Sequence, residues 1–333
     1  SREGTPDGAV RTALSAIDAK VSVARYQPET PPLAKIREGL QGVATPCVVL
    51  WADDDFLVPG ALEEGVRVLA RRPEVSAVHG TSGLFGVRNG ALQWVAPYPQ
   101  RAIMDETASA RLLNHLGRYS VTFYSIQRTE ALRKHFDRVC GLGLDWHTWG
   151  EIALSALAAI QGKAHAMPRL YMVREGHEGM GSALAQRARG LDPFDWLTDA
   201  AFARECGSYA MFRDLLVPEL MRQDGLEVTQ AREVVKRAFW SYMGQVLMKK
   251  WDGLQGPRGA APRARLREAA KRIPGLRGAW RGVRSRLPGQ DAAMSLEALL
   301  RPRSRYHRDF MPIHQAIMAG SGREEAAALA VAG

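Results

Sequence analysis

The passage that most constrains this chain is 45–60. It holds a short apolar run at 47–52, then Asp53, Asp54 and Asp55, then Pro59 opening an amphipathic pattern. The apolar run predicts a buried strand. Leu62, Val66 and Leu69 recur on one face after Pro59, with Glu63 and Glu64 nearby, which predicts a helix over 60–71. Three carboxylates at the end of a buried strand repel one another. Either a cation neutralises them, or they form a solvated loop in which one aspartate caps the helix.

Around this passage the chain alternates strand and helix. Residues 9–19 read as a helix, 20–26 as a strand, 33–40 as a helix, and 75–79 as a strand. A turn-rich stretch at 80–86 and a hairpin around Asn89-Gly90 follow. Helices are expected at 105–118, 129–136 and 146–160, and strands at 121–126 and 164–173. This is the rhythm of an α/β sheet, whose ligands sit at the carboxyl ends of strands. From about 182 only helical periods remain, at 194–203, 209–221 and 228–251. The expected division is 1–182 as an α/β unit, 183–256 as a helical region, and 257–333 as a basic segment and tail.

The net charge of +10 points to an anionic partner. It is concentrated in 257–290, where ten basic residues face Glu268 alone. Leu266, Ile273 and Trp280 interleave with the arginines there. A basic amphipathic segment of this kind is expected at an anionic membrane surface. It has few aromatics and no nucleic-acid motif, so nucleic acid is not expected as partner. Cys47, Cys140 and Cys206 offer no disulfide or zinc spacing, which suits a reducing compartment. No apolar run is long enough to span a bilayer. A cytoplasmic protein, peripheral at the inner face of the membrane, is the expectation.

Three passages together carry a family resemblance. Asp53-Asp54-Asp55-Phe56-Leu57-Val58-Pro59 after its apolar run resembles the metal-binding strand end of GT-A-fold glycosyltransferases. It is most similar to a bacterial group of glycosyltransferase family 2. Leu144-Asp145-Trp146 with Glu151-Ile152-Ala153 and Gly162-Lys163 resembles that group's acceptor-side helix, and Met172 to His177 resembles the end of its core. The similarity covers about 1–180. It implies a mixed sheet flanked by helices, with an all-α C-terminal region. The chain opens at Ser1-Arg2-Glu3-Gly4, and the resemblance implies that a first strand–helix–strand unit would precede this point.

The implied activity is metal-dependent sugar transfer from a UDP- or GDP-sugar to a glycan or lipid-linked acceptor, in bacterial surface polysaccharide synthesis. Mn²⁺ or Mg²⁺ would stabilise the departing diphosphate, and such ions take oxygen ligands. Asp53 and Asp55, two apart, would share a side in an extended segment. Asp55 is the expected metal ligand, Asp53 a ribose or metal contact, and His177 a third ligand or diphosphate contact. Arg174 would neutralise phosphate. Lys35 and Arg37 would line the donor cleft. Asp145 is the expected general base, with Glu151 the other candidate, although an Asp before a helix is also a natural N-cap. His79, His115, His147 and His165 have no useful partner spacing. Two rivals stand beside this reading. One is a Mg²⁺-dependent phosphotransferase. The other is a degenerate transferase fold that binds membranes or polyanions without catalysis.

Overall fold

A computed structural model describes residues 21–88, 91–98, 100–145, 149–176, 200, 208–254 and 294–332. It is an α/β molecule built on a mixed, curled sheet. In chain order the elements are α1 (Pro32–Gln41), β1 (Cys47–Val48), β2 (Asp55–Leu57), α2 (Pro59–Arg71), β3 (Val75–Arg88), β4 (Ala91–Tyr98), α3 (Ala108–Gly117) and β5 (Ile126–Arg128). They continue with α4 (Thr129–Gly141), α5 (Glu151–Gln161), β6 (Lys163–Glu175), α6 (Tyr209–Asp224), α7 (Val228–Leu254), α8 (Leu296–Leu300) and α9 (His307–Ala332).

The sheet order is β1-β5-β3-β6-β2, and β4 also pairs with β3. Only β3 and β6 run parallel; the other pairings are antiparallel. The long strands β3 and β6 are the spine. Their parallel pairing needs a crossover, and the connection runs through β4, α3, β5, α4 and α5. One face of the sheet is covered by α1 and α3 to α7, around Leu112, Phe136, Trp149, Leu157, Phe212 and Phe239. Helix α5 is buried from Ile152 to Ile160, so it is apolar all round and lacks a polar face. The other face is closed by α2, α8 and α9, with Met294, Leu299, Tyr306, Phe310, Ile313 and Ile317 packed on strand residues.

Helix ends are held by polar groups at the expected places. Thr107, Ser208 and Ser295 cap α3, α6 and α8 by accepting from the backbone three residues on. Asp224, at the end of α6, accepts from the Ala108 and Ser109 amides at 2.8 and 2.7 Å and so caps α3 from outside. Arg111 carries its buried guanidinium to the last carbonyls of α5, Ala159 and Ile160, both at 2.8 Å.

Four sequence expectations are corrected. No strand forms over the described part of 20–26. Val21 and Val23 are exposed, and the segment pairs with none of the described strands. The strand expected at 47–52 shrinks to β1, because its only partner, β5, is itself three residues long. The strand expected at 121–126 begins only at Ile126, after a turn closed by Ser125 N–H to Thr122 C=O at 3.0 Å. The turn expected at 80–86 is the middle of β3. The hairpin pairing does form, with Arg88 opposite Ala91; the tip residues Asn89 and Gly90 lie outside the described residues, as do 9–19 and all of 194–203 except residue 200.

The glycines of β3 serve close approach, not turning. A Cβ on Gly80 would lie 2.6 Å from the Arg169 carbonyl and 2.8 Å from the Tyr171 Cβ. Replacing Gly80 by Ala is therefore expected to destabilise by about 1–3 kcal/mol through overpacking between β3 and β6. Gly39 sits inside α1 with nothing near its missing Cβ, so Gly39→Ala is expected to stabilise by about 0.5–1 kcal/mol. Urea melts of the two variants check the opposite signs.

Candidate active site

The β2–β6 register sets Asp55 opposite Arg174, Phe56 opposite Val173 and Leu57 opposite Met172. Asp53 and Asp54 form the turn before β2, and Asp55 N–H closes it on the Ala52 carbonyl at 3.3 Å. The expected extended Asp53–Asp55 pair is thus corrected. Its two members straddle a turn-to-strand junction, Asp53 exposed and Asp55 only 3% exposed.

Arg174 Nε donates to Asp55 Oδ2 at 2.9 Å, and Nη1 donates to the Tyr98 hydroxyl at 3.1 Å. The guanidinium also lies over two rings, 4.4 Å from the centre of Tyr124 and 5.1 Å from that of Tyr98. Tyr124 is held in turn by the Tyr171 hydroxyl, which donates to its carbonyl at 2.6 Å. Beyond this group, Tyr119 donates to Glu151 Oε1 at 3.1 Å, and Glu151 is within electrostatic reach of Arg174. Asp55 Oδ1 is buried without a hydrogen-bond partner. Trp51 shields the turn from outside, its indole N–H donating to the Asp55 carbonyl at 2.7 Å.

The electrostatics follow from burial. Loss of water pushes the Asp55 carboxyl up to about 6, and Asp54 adds to this; the Arg174 guanidinium and the Glu175 backbone oppose it. Burial also raises Glu151, against the opposing pull of Tyr119 and Arg174. For Arg174, burial disfavours the cation, but Tyr98, Tyr124 and Asp55 outweigh it and its pKa rises. Tyr124 is pushed up to about 12 by burial and so stays a neutral phenol.

The other expected site residues are placed as follows. The Asp145 carbonyl accepts from Gly150 N–H at 2.9 Å across a π-type turn, and α5 starts only at Glu151. Asp145 is therefore not the N-cap of α5; Gly150 holds that position. A Cβ on Gly150 would lie 2.9 Å from the Asp145 carbonyl, so glycine permits the turn. Lys35 lies on α1, whose Leu33 borders Gly150. Arg37 pairs with Asp137 on α4 at 2.6 Å. His177 and the basic segment 257–290 lie outside the described residues. Tyr98, Tyr119 and Tyr124, which complete the cluster, carry no spacing signal in the sequence; they come from β4, from the end of α3 and from the turn before β5.

Among the described residues, no three His, Cys, Asp or Glu side chains converge on a common point. A hard divalent cation needs only one or two protein carboxylates when phosphate and water complete its shell. Asp55 Oδ1, with no partner, and the exposed Asp53 are all-oxygen donors of that kind. The chain matches no known protein-family profile and no curated protein.

Proposed function

We propose that this protein is a GT-A-type, metal-dependent glycosyltransferase that moves a sugar from a UDP- or GDP-sugar to a glycan or lipid-linked acceptor. The observation that supports the reading best is Asp55 itself. It is a buried carboxylate with one oxygen held by Arg174 and the other unpartnered, directly after an aspartate turn. A carboxyl in such a setting is costly unless a ligand uses it.

In this reading Asp53 and Asp55 would hold a Mn²⁺ or Mg²⁺ ion. When bound, the ion stabilises negative charge on a departing diphosphate. Arg174 keeps Asp55 oriented and ionised, and Tyr98 and Tyr124 fix the guanidinium on both sides. Glu151, whose pKa burial raises, suits proton transfer near neutral pH better than a solvated carboxylate would. Asp145, at the other end of the π-type turn, is the second candidate for removing the acceptor's proton. His177 remains a candidate third ligand.

The test is release of nucleotide from a panel of UDP- and GDP-sugars, with and without Mn²⁺. Asp53→Ala is the informative variant because Asp53 is exposed and stands in a turn rather than in the core. It is expected to lower Mn²⁺-dependent turnover about 100-fold or more with an unchanged melting temperature. Wild-type turnover that ignores both the metal and this substitution sinks the metal role. No turnover with any donor favours the non-catalytic reading.

A further inference from the structure

Helix α7 carries a second surface, away from the aspartate cluster. Its inner face is seated by Val235, Ala238, Phe239 and Met243, all buried. Its rotation is fixed by Gln245, which donates to the Leu116 carbonyl at 2.9 Å, and by Tyr242 against the Tyr119 ring at 5.3 Å. The outer face therefore cannot turn inward. On it stand Trp240, 58% exposed, Leu247, 38%, and Met248, 60%. Lys236 and Arg237 sit one turn before Trp240 and are exposed. Over Val228–Leu254 the sequence has five basic residues, Arg232, Lys236, Arg237, Lys249 and Lys250, against two acids, Glu233 and Asp252.

We propose that this face of α7 docks on an anionic lipid surface, with Trp240, Leu247 and Met248 entering the acyl boundary and the cations meeting the headgroups. The inference does not depend on the transferase reading. Large exposed apolar side chains in one stripe are unfavourable in water, and a flanking set of cations that outnumbers the acids Glu233 and Asp252 favours an anionic partner. A second copy of the chain fits poorly, because a twofold contact through this stripe would set like charges against each other. Nucleic acid fits poorly too, since Leu247 and Met248 offer neither stacking nor hydrogen bonds. No helix among the described residues is long and apolar enough to cross a membrane, so contact would be lateral. The basic stretch 257–290 follows α7 in the chain and continues the same charge.

The experiment uses the full chain with phosphatidylcholine vesicles, with and without about one third phosphatidylglycerol. Wild type is expected to sediment with the anionic vesicles only. The Trp240→Ser/Met248→Ser variant should partition about tenfold less, or weaker still, with its melting temperature unchanged. The emission difference between wild type and Trp240→Phe should shift to the blue on vesicle addition, a readout specific to this side chain. Equal binding to neutral vesicles, wild-type partitioning by the double variant, or an unshifted Trp240 emission overturns the proposal. So does a change from dimer to monomer on substitution with vesicle binding unaltered.

Discussion

Replacing Arg174 by alanine is expected to lower stability by about 3–5 kcal/mol, because it leaves a buried carboxylate without its cation. The pair is almost dry: the side chains of Arg174 and Asp55 are 11% and 1% exposed. Two rings and the Tyr98 hydroxyl lose their partner at the same time. Asp55→Val is expected to cost a similar amount, now from an unpaired guanidinium. The double variant Asp55→Val/Arg174→Met removes both charges and is expected to regain most of the loss, since apolar replacement of a buried pair is often nearly neutral. Urea unfolding of the four proteins gives the coupling energy. Additive losses would show that the two side chains do not act as a unit. Under the proposed function the double variant folds yet is inactive, which separates the pair's contribution to stability from its contribution to chemistry.

Acidification is expected to destabilise the protein well above the range where ordinary carboxylates titrate. His115 is fully buried with neither ring nitrogen hydrogen-bonded, and burial pushes it down to about 3. His135 is pushed down to about 4, again mainly by burial. Both are neutral in the folded protein and titrate near 6.5 when unfolded. Between those values the unfolded chain binds more protons, so stability is intact above about pH 6.5 and falls as the pH drops. From pH 7 to 5 each histidine removes about 2 kcal/mol. Asp55 works the other way. Its folded pKa is raised to about 6, so protonation from pH 7 to 5 returns about 1 kcal/mol. The net expectation for these three groups is a loss of about 2–3 kcal/mol. His115→Leu should flatten the pH profile measured by urea unfolding. A wild-type profile that is flat from pH 7 to 5 would contradict this assignment.

The helices were legible because each is recorded locally. The apolar spacing after Pro59 became a helix close to its expected bounds, and the stretch leading to Gly162 became one that ends as expected but starts only at Glu151. Strand pairing was less legible, since register depends on distant partners. The alternation around Val21 and Val23 looks like a strand, but neither valine is buried and the segment pairs with none of the described strands. The glycines at 80, 83 and 86 look like turn residues, yet they lie in a strand pressed against Arg169, Met294 and Trp94. For the site, the aspartates and Arg174 stood out as chemistry-bearing residues. That Asp55 and Arg174 face each other follows from a β2–β6 register spanning 119 positions, which no local pattern encodes. Tyr98 and Tyr124 join them only through the tertiary fold.

The sheet's second face also sets an order of events during synthesis. Strand β6 leaves the ribosome by residue 175, but the side chains that cover it and β4 begin at Met294. About 120 residues separate them, and at about 5–20 residues per second that is a wait of roughly 6–24 s. Throughout that interval Phe85, Val95 and Leu170 lack their cover from α8 and α9. Helices α6 and α7 can seat on the opposite face as they emerge, so one half of the core closes early and the other closes last. The nascent chain is thus most dependent on chaperones before α9 is made, and stalling within 257–290 should leave a half-covered sheet prone to association.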